Sequence, residues 1–239
     1  MMKRVASNLT GFLVVDKPRG PSSMDVVRVV RRKAGGAKTG HAGTLDPLAT
    51  GVVIVCIGRG ATRCVPCLMD AEKRYRAWID FSAVSETEDA EGPVVAVELS
   101  RDEPSLEEVR GILGWRFTGE ILQKPPRHSA MWVDGKRAYK MARKGEDFEM
   151  EARRVVVYEI GIVEYSFPEL VIDVRCGKGV YVRSLARDIG EALGVGGYLT
   201  GLRRTAVGDF RVEDAVRLDD VTDELRQEDL IDVSVLRGR

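Results

Sequence analysis

The chain has few of the residues that most often mark a chemistry. Two histidines, His41 and His128, and four cysteines, Cys56, Cys64, Cys67 and Cys176, stand among 239 residues. Four cysteines so placed cannot build a disulfide scaffold, which fits a reducing compartment. The pair in CVPC, Cys64 to Cys67, would need a second close pair or two histidines nearby to hold zinc, and neither is present. We read these cysteines as small buried side chains on a helix and expect no metal site. Long apolar runs are also missing. The longest, VVIVCI from Val52 to Ile57, falls far short of the roughly 18 residues that span a bilayer. The N-terminal MMKRVASNLT lacks the apolar stretch of a secretion signal, so the expected location is the cytoplasm. Net charge is absent too, since 37 Lys and Arg balance 37 Asp and Glu. No internal repeat or low-complexity linker occurs.

The charges are segregated nonetheless. Basic against acidic residues number 14 to 6 over residues 1–80, 3 to 10 over 81–120, 16 to 12 over 121–211 and 4 to 9 over 212–239. A neutral chain patterned in this way can present a strongly positive face, which is what a phosphate backbone binds.

Elements follow from periodicity and punctuation. GFLVV at 11–15 reads as a strand ended by DKPRGPSS. Ser22 with Asp25 resembles a capping box, and DVVRVVRRK then turns Val26, Val27 and Val30 inward and its arginines outward. KRYRAWIDF alternates Tyr75, Ala77, Ile79 and Phe81 against charged neighbours, as a half-buried strand does. SLEEVRGILGW reads as a helix, SAMWV as a strand, KRAYKMARKG as a helix closed by Gly145, and RRVVVYEIGIVEYSF with ELVIDVRC as two strands joined near Pro168. YVRSLARDIGEALG places Val182, Leu185, Ala186, Ile189 and Leu193 at helical spacing before Gly194. The expected class is α+β, a mixed, largely antiparallel sheet with packed helices.

AGGAKTGHAGTLDPLATG, residues 34–51, lacks hydrophobic periodicity, and loops of that length in compact domains tend to be functional. It carries one carboxylate, Asp46. Glycines at 40, 43 and 51 permit close ligand approach, and Pro47 stiffens the backbone beside the acid. With no second acid in the loop, a nucleophile or base is a more natural role than half of a carboxylate pair. An Asx-turn or helix cap is the plain structural alternative. A catalytic carboxylate in an apolar pocket needs a fixed cation, and the candidates are Arg183, Arg74 and Arg76. Tyr75, Tyr181 or Trp78 could supply a stacking surface for a flat substrate.

Taken together, these blocks resemble the TruB family of tRNA pseudouridine synthases. GFLVVDKPRGPSS is similar to the family's opening block and GHAGTLDPLATG to its catalytic loop. DAEKRYRAWIDF, QKPPRHSAMWVDGKRAYKMARKG, CGKGVYVRSLARDIGEALG and GYLTGLRRTAVGDF follow in order, covering residues 11–211. The resemblance implies the pseudouridine synthase fold, no cofactor, and conversion of uridine to pseudouridine in the T-loop of tRNA after the base is flipped out. It further implies that Asp46 is the catalytic aspartate, Arg183 its ion partner and Tyr75 the tyrosine stacked on the base. Tyr181 and Leu202 would line the uracil pocket, His41 would fill the space left by the flipped nucleotide, and Lys17 of the opening block would be a further substrate contact. The aspartate could attack ribose C1′ or uracil C6, or assist loss of the 2′ proton. Two positions depart from the family: His128 stands where tyrosine is usual, and Trp132 where lysine is. The expected organisation is a catalytic domain over 1–211 and a short acidic extension over 212–239 with no room for a PUA domain. The expected partner is the tRNA T-arm, without a membrane or an obligatory protein; the alternative readings are an RNA-binding or tRNA-folding protein with vestigial catalysis, and a guide-RNA-dependent synthase subunit.

Overall fold

The computed structural model describes residues 8–99 and 101–236; the N-terminal MMKRVAS, read above for a secretion signal, and the last three residues lie outside that range. The chain forms two compact units, one from Met1–Arg74 with Arg203–Arg239 and one from Tyr75–Leu202.

The first unit opens with strand β1, Gly11–Lys17, and helix α1, Ser23–Lys33. The expected capping box forms: Ser22 Oγ accepts from the Asp25 amide, and the Asp25 carboxylate accepts from the Ser22 amide. Val26, Val27 and Val30 are buried as their spacing requires. Strand β2, Thr39–His41, pairs antiparallel with β3, Thr50–Ile57, which pairs antiparallel with β1. β2 falls inside the stretch read as loop. Three residues held by backbone pairing alone carry no side-chain period, so the pattern could not reveal it. β1 and β3 are buried on both faces, which is why both read as unbroken apolar runs. Phe12, Val14, Val52, Ile54 and Cys56 form one core face with Leu68 and Val207. Helices α2, Gly58–Thr62, and α3, Val65–Asp70, follow. Here one expectation fails: Cys67 is exposed and Cys64 only half-buried, because α3 is a six-residue helix that buries Leu68 alone.

The second unit takes up β4, Lys73–Asp80, from Tyr75 onward. Hairpin β5–β6, Ala83–Ser85 and Val94–Ala96, encloses an acidic turn. Helix α4, Leu106–Arg116, is capped by Ser105 and Glu108, and β7 is Gly119–Gln123. Of SAMWV only Trp132–Val133 is strand, β8, pairing with β9, Lys136–Arg137. A two-residue turn, Asp134-Gly135, leaves too few residues for a longer ladder. Helix α5, Ala138–Ala142, precedes the long antiparallel pair β10, Arg153–Ser166, and β11, Glu169–Cys176. Helix α6, Val182–Leu193, ends on Gly194 in the left-handed region, as read. Strand order in this unit is β4-β11-β10-β7, and its pairing is antiparallel from β11 to β7.

The chain re-enters the first unit along β12, Tyr198–Val207, whose Arg203 and Arg204 pair in parallel with Thr50 and Gly51 of β3. β13, Phe210–Arg211, pairs antiparallel with β12, and β14, Val216–Arg217, pairs parallel with β1. The acidic tail is packed against the unit. Val221, Leu225 and Leu230 are buried, and Phe12 and Ile231 exchange two backbone hydrogen bonds of 2.8 Å. Both units thus carry a mixed or antiparallel sheet with helices packed on it, as the sequence implies.

Candidate active site

In the first unit the Asp46 loop runs between β2 and β3 with every carbonyl from residue 43 to 47 occupied. Arg204 donates to Gly43 at 3.2 Å and Thr44 at 3.4 Å. Ser23 Oγ donates to the Leu45 carbonyl at 3.0 Å and accepts from the Leu45 amide at 2.8 Å. The Asp46 carbonyl accepts from the Ala49 amide at 3.1 Å, closing a β-turn with Pro47 at its second position. The Pro47 carbonyl accepts from the Gly20 amide at 2.9 Å and from Lys17 Nζ at 3.2 Å. A segment so fully bonded cannot sample other conformations cheaply, so the half-buried Asp46 side chain is held on a fixed backbone.

The two cations that hold the loop are buried completely. Lys17 is 0% exposed and also donates to the Pro18 and Pro21 carbonyls at 2.9 and 2.8 Å. Arg204 is 1% exposed and binds Val52 O at 2.7 Å through Nε. Its backbone lies so close to Gly51 that a Cβ there would run into the Arg204 carbonyl, and Gly51 has φ +102°. Only glycine fits. His41 stands half-buried at the end of β2, its Nδ1 buried without a hydrogen-bond partner. Burial, then the Arg204 charge, holds its pKa below the ordinary histidine value.

In the second unit α6 begins at the candidate residues. Tyr181 is the residue before its first turn, and buried Gln123 of β7 clamps that backbone by accepting from the Tyr181 amide at 2.8 Å and donating to its carbonyl at 3.1 Å. Arg183 is 6% exposed. Its guanidinium donates to the Thr87 carbonyl at 3.0 Å and the His128 carbonyl at 3.1 Å, and lies 3.4 Å from the buried Asp89 carboxylate. Asp89 is itself held by Thr87 Oγ1 at 2.6 Å and the Glu91 amide at 3.0 Å. One turn along α6, Arg187 pairs with Glu88, which also accepts from Ser184 Oγ at 2.7 Å. Burial pushes the Glu88 carboxyl above its usual value despite these partners. Two arginines on one helix face therefore meet two buried acids of one turn.

Each predicted site residue thus has a place. His41, Asp46 and Lys17 belong to the first unit, where Lys17 reaches the Asp46 loop through Pro47. Tyr75, Tyr181, Arg183 and Leu202 belong to the second, Tyr75 half-buried on β4 and Leu202 buried on β12. The other candidate arginines are engaged elsewhere: Arg76 grips Asp173 with two bonds of 2.8 and 2.7 Å, and Arg74 lies 3.3 Å from Glu72. Trp78 lies along Gly201, where an added Cβ would meet its ring at 3.2 Å.

Sequence reasoning missed Arg204, Asp89, Glu88 and Gln123. A signal existed for Arg204, because it falls in phase with the buried Leu202 and Ala206 of β12. For the acids there was only density of negative charge, which usually means a solvated surface.

Comparison with known proteins is consistent across the chain. Residues 31–182 match the family described as TruB family pseudouridylate synthase, N-terminal domain, and residues 183–238 match the tRNA pseudouridylate synthase B C-terminal domain. A tRNA pseudouridine synthase B of Francisella philomiragia is 41% identical over 222 residues, 93% of this chain and 73% of the relative. One from Ruegeria pomeroyi is 45% identical over 220 residues, 92% of this chain and 71% of the relative. Among solved structures, a Cbf5-Nop10-Gar1 complex matches with a TM-score of 0.68 at 32% identity over 88% of this chain. An H/ACA RNP bound to a substrate RNA containing 2′-deoxyuridine matches with a TM-score of 0.64 at 30% identity over 88%. The chain spans about half the length of those solved chains, 53% and 52%.

Proposed function

The chain belongs to the TruB family of pseudouridylate synthases and isomerises uridine to pseudouridine in tRNA, and we propose that it does so at the T-loop uridine with Asp46 as the catalytic group. The observation that carries this reading is the Asp46 loop, a single acid on a backbone whose five carbonyls from 43 to 47 all have donors. Such a backbone supplies the orientation that lets one carboxylate act without a partner acid.

The reaction requires no net oxidation and no added group. The N1–C1′ bond breaks, the base turns, a C5–C1′ bond forms, a proton leaves C5 and N1 ends protonated. A carboxylate that bonds transiently to the nucleotide, or takes the 2′ proton, suffices with a means of holding the detached base. In this reading Arg183 keeps Asp46 ionised, and Tyr75 stacks on the uracil. Tyr181 and Leu202 line the uracil's pocket, and His41 occupies the space vacated in the RNA. Lys17 acts through the loop, because its ammonium is used up on carbonyls. Because the target is stacked in folded RNA, it must be extruded first, at a cost of about a few kcal/mol. No cofactor enters this scheme, and the protein acts alone on tRNA in the cytoplasm.

The test uses the purified protein with a T-arm transcript and mass-spectrometric mapping of the product. Wild type should place pseudouridine at the T-loop position, and Asp46→Asn should give none while its thermal melt is unchanged. Turnover retained by Asp46→Asn would sink the assignment, and a requirement for added protein or guide RNA would overturn independent action.

A further inference from the structure

Trp132 is a large aromatic residue that the fold does not bury. It stands in the β8–β9 hairpin with 58% of its surface in solvent, and the hairpin itself is stiff. Asp134 and Gly135 take φ of 48° and 76°, the left-handed pair that matches strand twist in a two-residue turn. Arg137 is bonded to the Ala130 carbonyl, and its guanidinium carbon lies 4.3 Å from the Trp132 ring centroid. The Ala138 amide donates to Met131 O at 2.8 Å and the Tyr139 amide to Ser129 O at 3.0 Å, folding α5 back on residues 129–131. Next to them is His128, whose carbonyl is held by Arg183. The indole is therefore fixed, backed by a cation on one face, and tied through a short backbone path to the candidate catalytic arginine.

Its segment carries a cationic excess: residues 124–149 contain seven Lys and Arg and four acids. Lys124, Arg127 and Lys136 lie against Glu149, Asp147 and Glu146, whereas Lys140, Arg143 and Lys144 are exposed along and just after α5. A rigid aromatic surface edged by cations is what an unpaired nucleobase stacks on, since every base offers a π-face and its phosphates seek the charge.

We propose that Trp132, backed by Arg137, is a stacking platform for an unpaired nucleobase of the tRNA substrate and so a substrate-positioning residue. The proposal rests on the reading of the chain as a tRNA enzyme. It assigns a role to a position where the resemblance leads one to expect lysine: a phosphate-seeking charge is replaced by a base-seeking ring.

The experiment measures T-arm binding and pseudouridine formation by the full-length protein and three variants. Trp132→Ala should weaken binding about tenfold, with kcat at saturating RNA within about twofold of wild type. Trp132→Phe should recover most of the loss. Trp132→Leu keeps bulk for packing but has no π-face, and should behave as the alanine variant does. The slope of log Kd against log salt should not change in Trp132→Ala, because no phosphate contact is removed. RNA-induced quenching of tryptophan fluorescence should fall in the same variant. Rescue by leucine equal to that by phenylalanine would mean a packing role and overturn the proposal, as would wild-type affinity in Trp132→Ala. If wild type binds the T-arm but forms no pseudouridine, the functional reading fails while stacking is still scored by the binding and quenching arms.

Discussion

Lys17 and Arg204 hold their charges out of water, and the loop they hold accounts for the expense of burying them. Replacing Lys17 by methionine keeps the aliphatic bulk and removes three donors. The carbonyls it leaves should lower stability by about 1–3 kcal/mol. Activity should fall further than stability, read by single-turnover kinetics at a temperature where the variant is still folded. Arg183 poses a different exchange. Its fork serves two carbonyls and a carboxylate at once, so Arg183→Lys, a point charge on a flexible stem, should lose activity about a hundredfold and tRNA affinity less than threefold. Equal losses would show it to be an RNA contact. His41 gives a pH signature. Its folded pKa is depressed below the ordinary 6.5, so between those values the unfolded chain binds a proton that the folded chain refuses. The resulting stability is whole above about pH 6.5 and is lost as pH falls through the folded value. Melting temperatures of wild type and His41→Gln, compared at pH 7.5 and 5.5, should differ in slope, the variant losing less on acidification.

At the scale of elements, α6 buries eight of its twelve residues, and its contacts explain both what the sequence revealed and what it concealed. The spacing of Val182, Leu185, Ala186, Ile189 and Leu193 announced the helix and its buried face, and Gly194 announced its end. Gly190 announced nothing, yet a Cβ there would collide with the Gly196 carbonyl and press within 2.9 Å of the Gly197 Cα. Close approach of two backbones has no periodicity to read. Gly190→Ala should therefore destabilise the protein by about 1–3 kcal/mol, seen as a lower urea midpoint, although alanine is ordinarily the better helix former. The acidic turn between β5 and β6 was hidden for another reason. Glu88 and Asp89 look like surface charge until two arginines of α6, about a hundred residues later, are known to face them. Long-range ion pairing is invisible to local pattern, whereas the turn that carries Asp46 is legible in the glycines and proline that are its immediate neighbours.

For the whole molecule, the zero net charge conceals the segregation that matters for an RNA substrate. Binding of the T-arm should weaken about tenfold or more between 50 and 200 mM salt, as counterion release from a handful of phosphate contacts requires. Salt-independent binding would contradict a phosphate-facing surface. Composition alone argues against such a surface, and counting by region is what motivates the expectation of one. The chain's connectivity was the least legible property of all. Nothing in the sequence says that residues 203–239 return to join the first seventy-four, because each strand of that return reads like any other.

That return sets an order in time. Thr44 and Arg204 are 160 residues apart, so as the chain leaves the ribosome the Asp46 loop emerges long before the cation that holds it. Until Arg204 has been made, the Gly43 and Thr44 carbonyls lack the donor that holds them, so this loop completes its bonding only after the chain has grown some 160 residues beyond it.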